Sequence, residues 1–163
     1  MPNMDWSVLN HLQIGKYAEY FAKMEFTSYG FEVFTSEVDD RGIDFIVKDR
    51  RGQFCEIQVK ALRGYGYVFA QKSKFNINND NLYMTLLVFR EGQMPDLFLI
   101  PSNVWRLPNN IFVDRNYDKP DLKSNPEYGI NISKKNYDFL YQYEFKKSIL
   151  LNMKYSFEAT DIL

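Results

Sequence analysis

From Phe54 to Ala61 the residue types alternate without a break: Cys55, Ile57, Val59 and Ala61 are small or apolar, and Glu56, Gln58 and Lys60 between them are polar. Side chains of an extended chain point alternately to opposite faces, so this run is a strand with an apolar face and a polar row. The residues just before it constrain it further. Ile43-Asp-Phe-Ile-Val47 reads as a second strand, and Asp49-Arg-Arg-Gly52 between the two reads as a hairpin turn. The hairpin folds Asp44 back toward Gln58 and Lys60. A half-solvated antiparallel strand, its polar row simply meeting water, shows the same alternation. Asp44 weighs against that reading, because a carboxylate between Ile43 and Phe45 is costly to bury unless it is paired or binds a cation.

The remaining elements follow from periodicity. Apolar residues at positions 14, 17, 18, 21 and 22 have the spacing of an amphipathic helix, expected over 14–24. Gly30 closes it, 31–35 reads as a short strand, and 37–42 as a turn. Further strands are expected over 65–70, 82–89 and 96–100. Residues 107–131, with prolines among Asn and Asp, read as irregular. Ser133 is a candidate N-cap for a helix over 134–141, and 155–163 are expected to be mobile. This order describes an α/β (α+β) fold, a mixed central β-sheet flanked by helices. It is expected to form a single domain over 1–163, with the core motifs in 13–75 and the remaining strands and a C-terminal helix in 76–163.

Composition narrows the chemistry. A single cysteine, Cys55, cannot form an internal disulfide and suits a reducing compartment. No segment resembles a secretory signal, and no apolar run approaches the roughly 20 residues of a membrane helix, so a cytoplasmic protein without a membrane partner is expected. His11 is the only histidine, which argues against a histidine triad or a multi-histidine zinc site. The net charge is −1, but its distribution is uneven. Residues 1–40 carry two lysines against seven acidic residues, whereas residues 41–75 carry eight basic residues against three acidic ones. Positive charge is thus concentrated around the candidate site, as a polyanion substrate requires, although a chain this size shows such fluctuations by chance.

A carboxylate, an amide oxygen and an ammonium group converging at one place suit phosphodiester hydrolysis. Magnesium takes a few oxygen ligands and keeps several waters, and a lysine can orient the attacking water and stabilise charge growing on phosphate.

Here the sequence resembles the PD-(D/E)XK nuclease superfamily, the restriction-endonuclease-like fold. The residues that carry the resemblance are the helix Ile14-Gly-Lys-Tyr-Ala-Glu19, the strand Gly30-Phe-Glu-Val33, then Asp44, a hairpin, and Gln58-Val59-Lys60. It covers residues 13–63 and is similar to archaeal Holliday-junction resolvases and to a bacterial branch whose motif reads Gln-Val-Lys. The resemblance implies a metal-dependent endonuclease acting on DNA. In that reading Asp44 is the principal ligand of Mg2+ (or Mn2+), Gln58 a second ligand, Glu19 completes the site, and Lys60 positions the water. The chain departs from the pattern in two places. No proline precedes Asp44, and Gln58 replaces the usual acid, which removes one negative charge; Glu56 on the same strand face could compensate.

Arg63, Lys72 and Lys74 follow the site and are candidate phosphate contacts, as well as candidates for a solvated face. Tyr65 and Tyr67 suit base stacking, but strand packing suits them better. Cys55 falls on the apolar face and reads as core, and His11 as structural or exposed. Rival readings are a catalytically inactive DNA- or protein-binding module of the same fold, and a subunit active only with a partner. A homodimer is the expected assembly for cutting both strands.

Overall fold

The computed structural model describes residues 1–37 and 41–153. The expected turn over 37–42 lies partly, and the expected mobile tail over 155–163 wholly, outside the described residues. Helix α1 (His11–Ser28) leads into strand β1 (Glu32–Phe34). Then come β2 (Phe45–Lys48), β3 (Phe54–Arg63), β4 (Gly66–Gln71), β5 (Leu82–Phe89) and β6 (Asp96–Pro101). Strands β7 (Phe112–Arg115) and β8 (Glu127–Ile132) precede the final helix α2 (Phe145–Leu151).

Helix α1 begins earlier than its apolar periodicity suggests, because Asn10 and Gln13 form a reciprocal capping box. Asn10 Oδ1 accepts the Gln13 N–H at 2.9 Å, and Gln13 Oε1 accepts the Asn10 N–H at 2.8 Å. The β2–β3 hairpin is held from inside its turn by buried Asp49. Its Oδ1 accepts the N–H groups of Arg51 and Gln53, both at 2.9 Å, and Gly52 takes φ +82°.

The main sheet has the order β1-β2-β3-β5-β6, so β3 is its central strand. β2 pairs antiparallel to β3 with Phe45 opposite Ile57, whereas β5 runs parallel to β3 with Gln58 opposite Met84. The β3–β5 parallel pair makes the sheet mixed, the α+β class expected. Every residue of β5 is buried, as a strand covered on both faces must be.

The two faces are covered differently. On one, α1 and α2 bury Ile14, Ala18, Ala22, Phe26, Phe145 and Ile149 against Phe45, Val47, Cys55 and Ile57. On the other lies a three-stranded antiparallel sheet of order β4-β8-β7, whose Val68, Ala70, Phe112, Ile130 and Ile132 pack on Met84, Leu86, Val88, Phe98 and Ile100. Helices therefore cover one face and a second sheet the other.

Two expectations fail here. The stretch expected to be irregular contains β7 and β8, short strands stabilised mainly by pairing with each other and with β4. The helix expected over 134–141 is a 3-10 turn over Tyr137–Tyr143 instead. Ser133 does not cap it: the Ser133 N–H donates to Asn136 Oδ1. The regular helix starts one step later, where the Glu144 carboxylate accepts the N–H groups of Lys146 and Lys147.

Candidate active site

The polar row of β3 faces away from α1. Because β3 is the central strand, that row is largely covered: Gln58 is buried, and Glu56 and Lys60 are half-buried. It looks toward β4 and the segment after it. Asp44 lies one residue before β2, and alternation puts it on the same face as Ile46, away from core residues Phe45 and Val47. The β2–β3 register ends at Phe45 opposite Ile57, and Asp44 lies just beyond it, beside Ile57 and Val59 of β3. Its N–H donates to the Ile57 carbonyl at 2.9 Å, and its Oδ2 accepts the Val59 N–H at 2.5 Å. The carboxylate is thus held by the backbone of the strand that carries the other site residues.

Asp44, Gln58 and Lys60 line one cavity of about 310 Å³ together with Gly42, Val59, Phe69, Gln71 and Lys74. Gln58 is 6% exposed, and its buried Oε1 has no hydrogen-bond partner among the described residues. A buried amide oxygen left unpartnered is costly, and such atoms in native proteins point to a water or an ion. Gly42 makes room for this amide: it has φ +74°, and a Cβ there would lie 3.1 Å from Gln58 Nε2 and 3.1 Å from Lys74 Cβ.

The structure sorts the other sequence candidates. Glu19 lies outside the cavity lining, and its carboxylate pairs with Lys16 at 2.5 Å and Lys23 at 4.0 Å. Lys16 is held above its ordinary pKa, first by the Glu19 hydrogen bond and then by the Glu19 charge. Glu56 shares the strand face but accepts from Asn79 Nδ2 at 2.9 Å and lines a separate hollow with Arg41 and Phe34.

Of the candidate phosphate contacts Arg63, Lys72 and Lys74, it is Lys74 that joins the cavity. Arg63 donates instead to the carbonyls of Trp6 and Leu9, tying down the segment before α1. Lys72 pairs with Asp114 and lies 4.7 Å over the Tyr128 ring. Tyr67 packs as part of the second sheet, its hydroxyl donating to Glu127. Cys55 is buried in the core, and burial pushes its thiol up to about 11. Sequence reasoning missed Gly42, Phe69 and Gln71. The alternation within the expected strand over 65–70 would have placed Phe69 off the core face, since Val68 and Ala70 point inward.

No protein-family model matches this chain, and no curated protein matches its sequence. Several solved structures are similar to it, two of them as follows. One is Hjc, a Holliday junction resolvase of Archaeoglobus fulgidus, with TM-score 0.46 and 10% identity, covering 77% of this chain and 88% of that one. The other is a bacterial homing endonuclease, I-Ssp6803I, with TM-score 0.42 and 18% identity, covering 69% of this chain and 83% of that one. Both are likenesses of overall shape at low identity, and the chemistry of the site is read from its own residues.

A divalent cation fits those residues. Asp44 supplies a carboxylate, Gln58 supplies a buried amide oxygen, and hard cations take oxygen donors of both kinds. The donor set is lean. Among the described residues no group of three His, Cys, Asp or Glu is placed to hold a metal.

Proposed function

We propose that this chain is a metal-dependent endonuclease that hydrolyses phosphodiester bonds of DNA, with Asp44, Gln58 and Lys60 as its central residues. The observation that carries the reading is the buried Gln58 Oε1, which has no hydrogen-bond partner among the described residues, in a cavity that also holds Asp44, Lys60 and Lys74. Asp44 and Gln58 would hold Mg2+ or Mn2+, with Glu19 the candidate for a further ligand. The cation supplies a lowered pKa for bound water and neutralises charge growing on phosphate.

The protein groups do the rest. Lys60 holds a non-bridging phosphate oxygen and orients the water, and Lys74 adds positive charge beside it. Water oxygen bonds to phosphorus as the bond to the leaving sugar oxygen breaks. The water gives up a proton, the leaving oxygen takes one up, and the products are a phosphomonoester and a free hydroxyl. A homodimer would present two such sites, one for each strand.

The test is nicking of supercoiled plasmid by the purified protein with magnesium or manganese against chelator, beside Lys60→Ala. Metal-dependent nicking that Lys60→Ala abolishes is the expected result. Gln58, an amide where a carboxylate would bind a cation more strongly, favours one second reading, a binding module of the same fold without turnover. Binding of DNA with no cleavage under either metal would establish that reading instead.

A further inference from the structure

Phe69 lies mid-strand in β4 and is 44% exposed, yet it lines the cavity that holds Asp44, Gln58 and Lys60. A single exposed phenylalanine is ordinary. This one is braced from behind. Its ring stacks on Tyr67 with centroids 6.0 Å apart and an interplanar angle of 20°. Tyr67 is in turn immobilised on three sides. Its hydroxyl donates to Glu127 Oε1 at 2.9 Å, and Glu127 is itself 5% exposed and accepts from Tyr117 at 2.5 Å. The Arg115 guanidinium sits 4.2 Å over its ring. The ring lies so close over the β8 backbone that a Cβ at Gly129 would fall 2.1 Å from the Tyr67 hydroxyl oxygen. Arg115 and Phe69 thus both pack on the fixed Tyr67 ring, and the Phe69 ring borders the cavity.

We propose that Phe69 is a stacking platform for an unpaired nucleobase next to the scissile phosphate, so that the preferred substrate carries single-stranded nucleotides at the cleavage point. Flat aromatic rings offered to solvent bind bases through their π-faces, and an interior base pair of a duplex keeps those faces covered by its neighbours. Charge complementarity points to the same occupant: Lys60 and Lys74 line the cavity into which the neighbouring phosphate would fall. Tyr67 and Glu127 are positioning residues, because they fix the angle of the Phe69 ring without reaching the cavity themselves.

This inference rests on the nuclease reading for its substrate but is tested without cleavage. Binding of a fluorescein-labelled single-stranded DNA oligonucleotide and of a blunt duplex of the same sequence is measured by anisotropy in chelator. Wild type is compared with Phe69→Leu and Phe69→Trp. Wild type should prefer the single strand, Phe69→Leu should reduce that preference about tenfold, and Phe69→Trp should keep it. Wild type with no preference for the single strand would overturn the platform, as would Phe69→Leu with an unchanged preference. Nicking assays on the same proteins separate the two ideas. Loss of the nuclease reading shows as no metal-dependent cleavage by wild type, whatever the anisotropy reads.

Discussion

Asp44 Oδ2 accepts the backbone N–H of Val59 at 2.5 Å, which fastens the candidate metal ligand to the strand that carries Gln58 and Lys60. Asp44 therefore has a structural duty separable from its charge. Asn keeps an oxygen acceptor, whereas Ala leaves the Val59 N–H unpaired. Asp44→Ala should lose about 1–3 kcal/mol of stability and Asp44→Asn less, as read by urea denaturation. Both should lack metal-dependent nicking. If Asp44→Asn proved as unstable as Asp44→Ala, the hydrogen bond would not be what holds this residue.

Gln58 stands where a carboxylate would bind a divalent cation more strongly. Gln58→Glu should lower the melting temperature in chelator, because a buried carboxylate without a partner is costly. Manganese should restore it with a larger rise than it produces in wild type, since a ligand that binds only the folded state stabilises it. Equal manganese shifts in the two proteins would show that position 58 is not a ligand.

The Cys55 thiol, raised to about 11 by burial and secondarily by Asp49, should resist alkylation at pH 8 unless the protein unfolds. The sign of the pH effect follows from the direction of the shift. A thiol whose folded pKa lies above its unfolded value contributes stability that is complete below the unfolded pKa, near 8.5 to 9. That contribution falls away as pH rises through about 11. Rapid iodoacetamide labelling of the native protein at pH 8 would contradict this placement.

The local elements were legible in the sequence. Alternation from Cys55 to Ala61, the Asp49–Gly52 turn and the helical spacing from Ile14 to Ala22 depend on near neighbours, and α1 and β1 to β6 follow from them with shifts at their ends. Strands β7 and β8 were not legible. They are short, Gly129 within β8 has low strand propensity, and their pairing partners lie far along the chain, Phe69 with Gly129 among them.

The candidate site divides the same way. Residue types and spacing alone put Asp44, Gln58 and Lys60 on one face of one hairpin. Burial of Gln58 was a tertiary decision, because a polar row on an edge strand and one on a central strand read identically until β5 pairs with β3 and β4 turns back above it. The same long-range packing commits Arg63 to the Trp6 and Leu9 carbonyls and brings Lys74 and Phe69 into the cavity. Face and period are properties of a few consecutive residues. Which groups share a cavity, and which buried oxygen is left without a partner, depends on segments that meet only when the chain has folded.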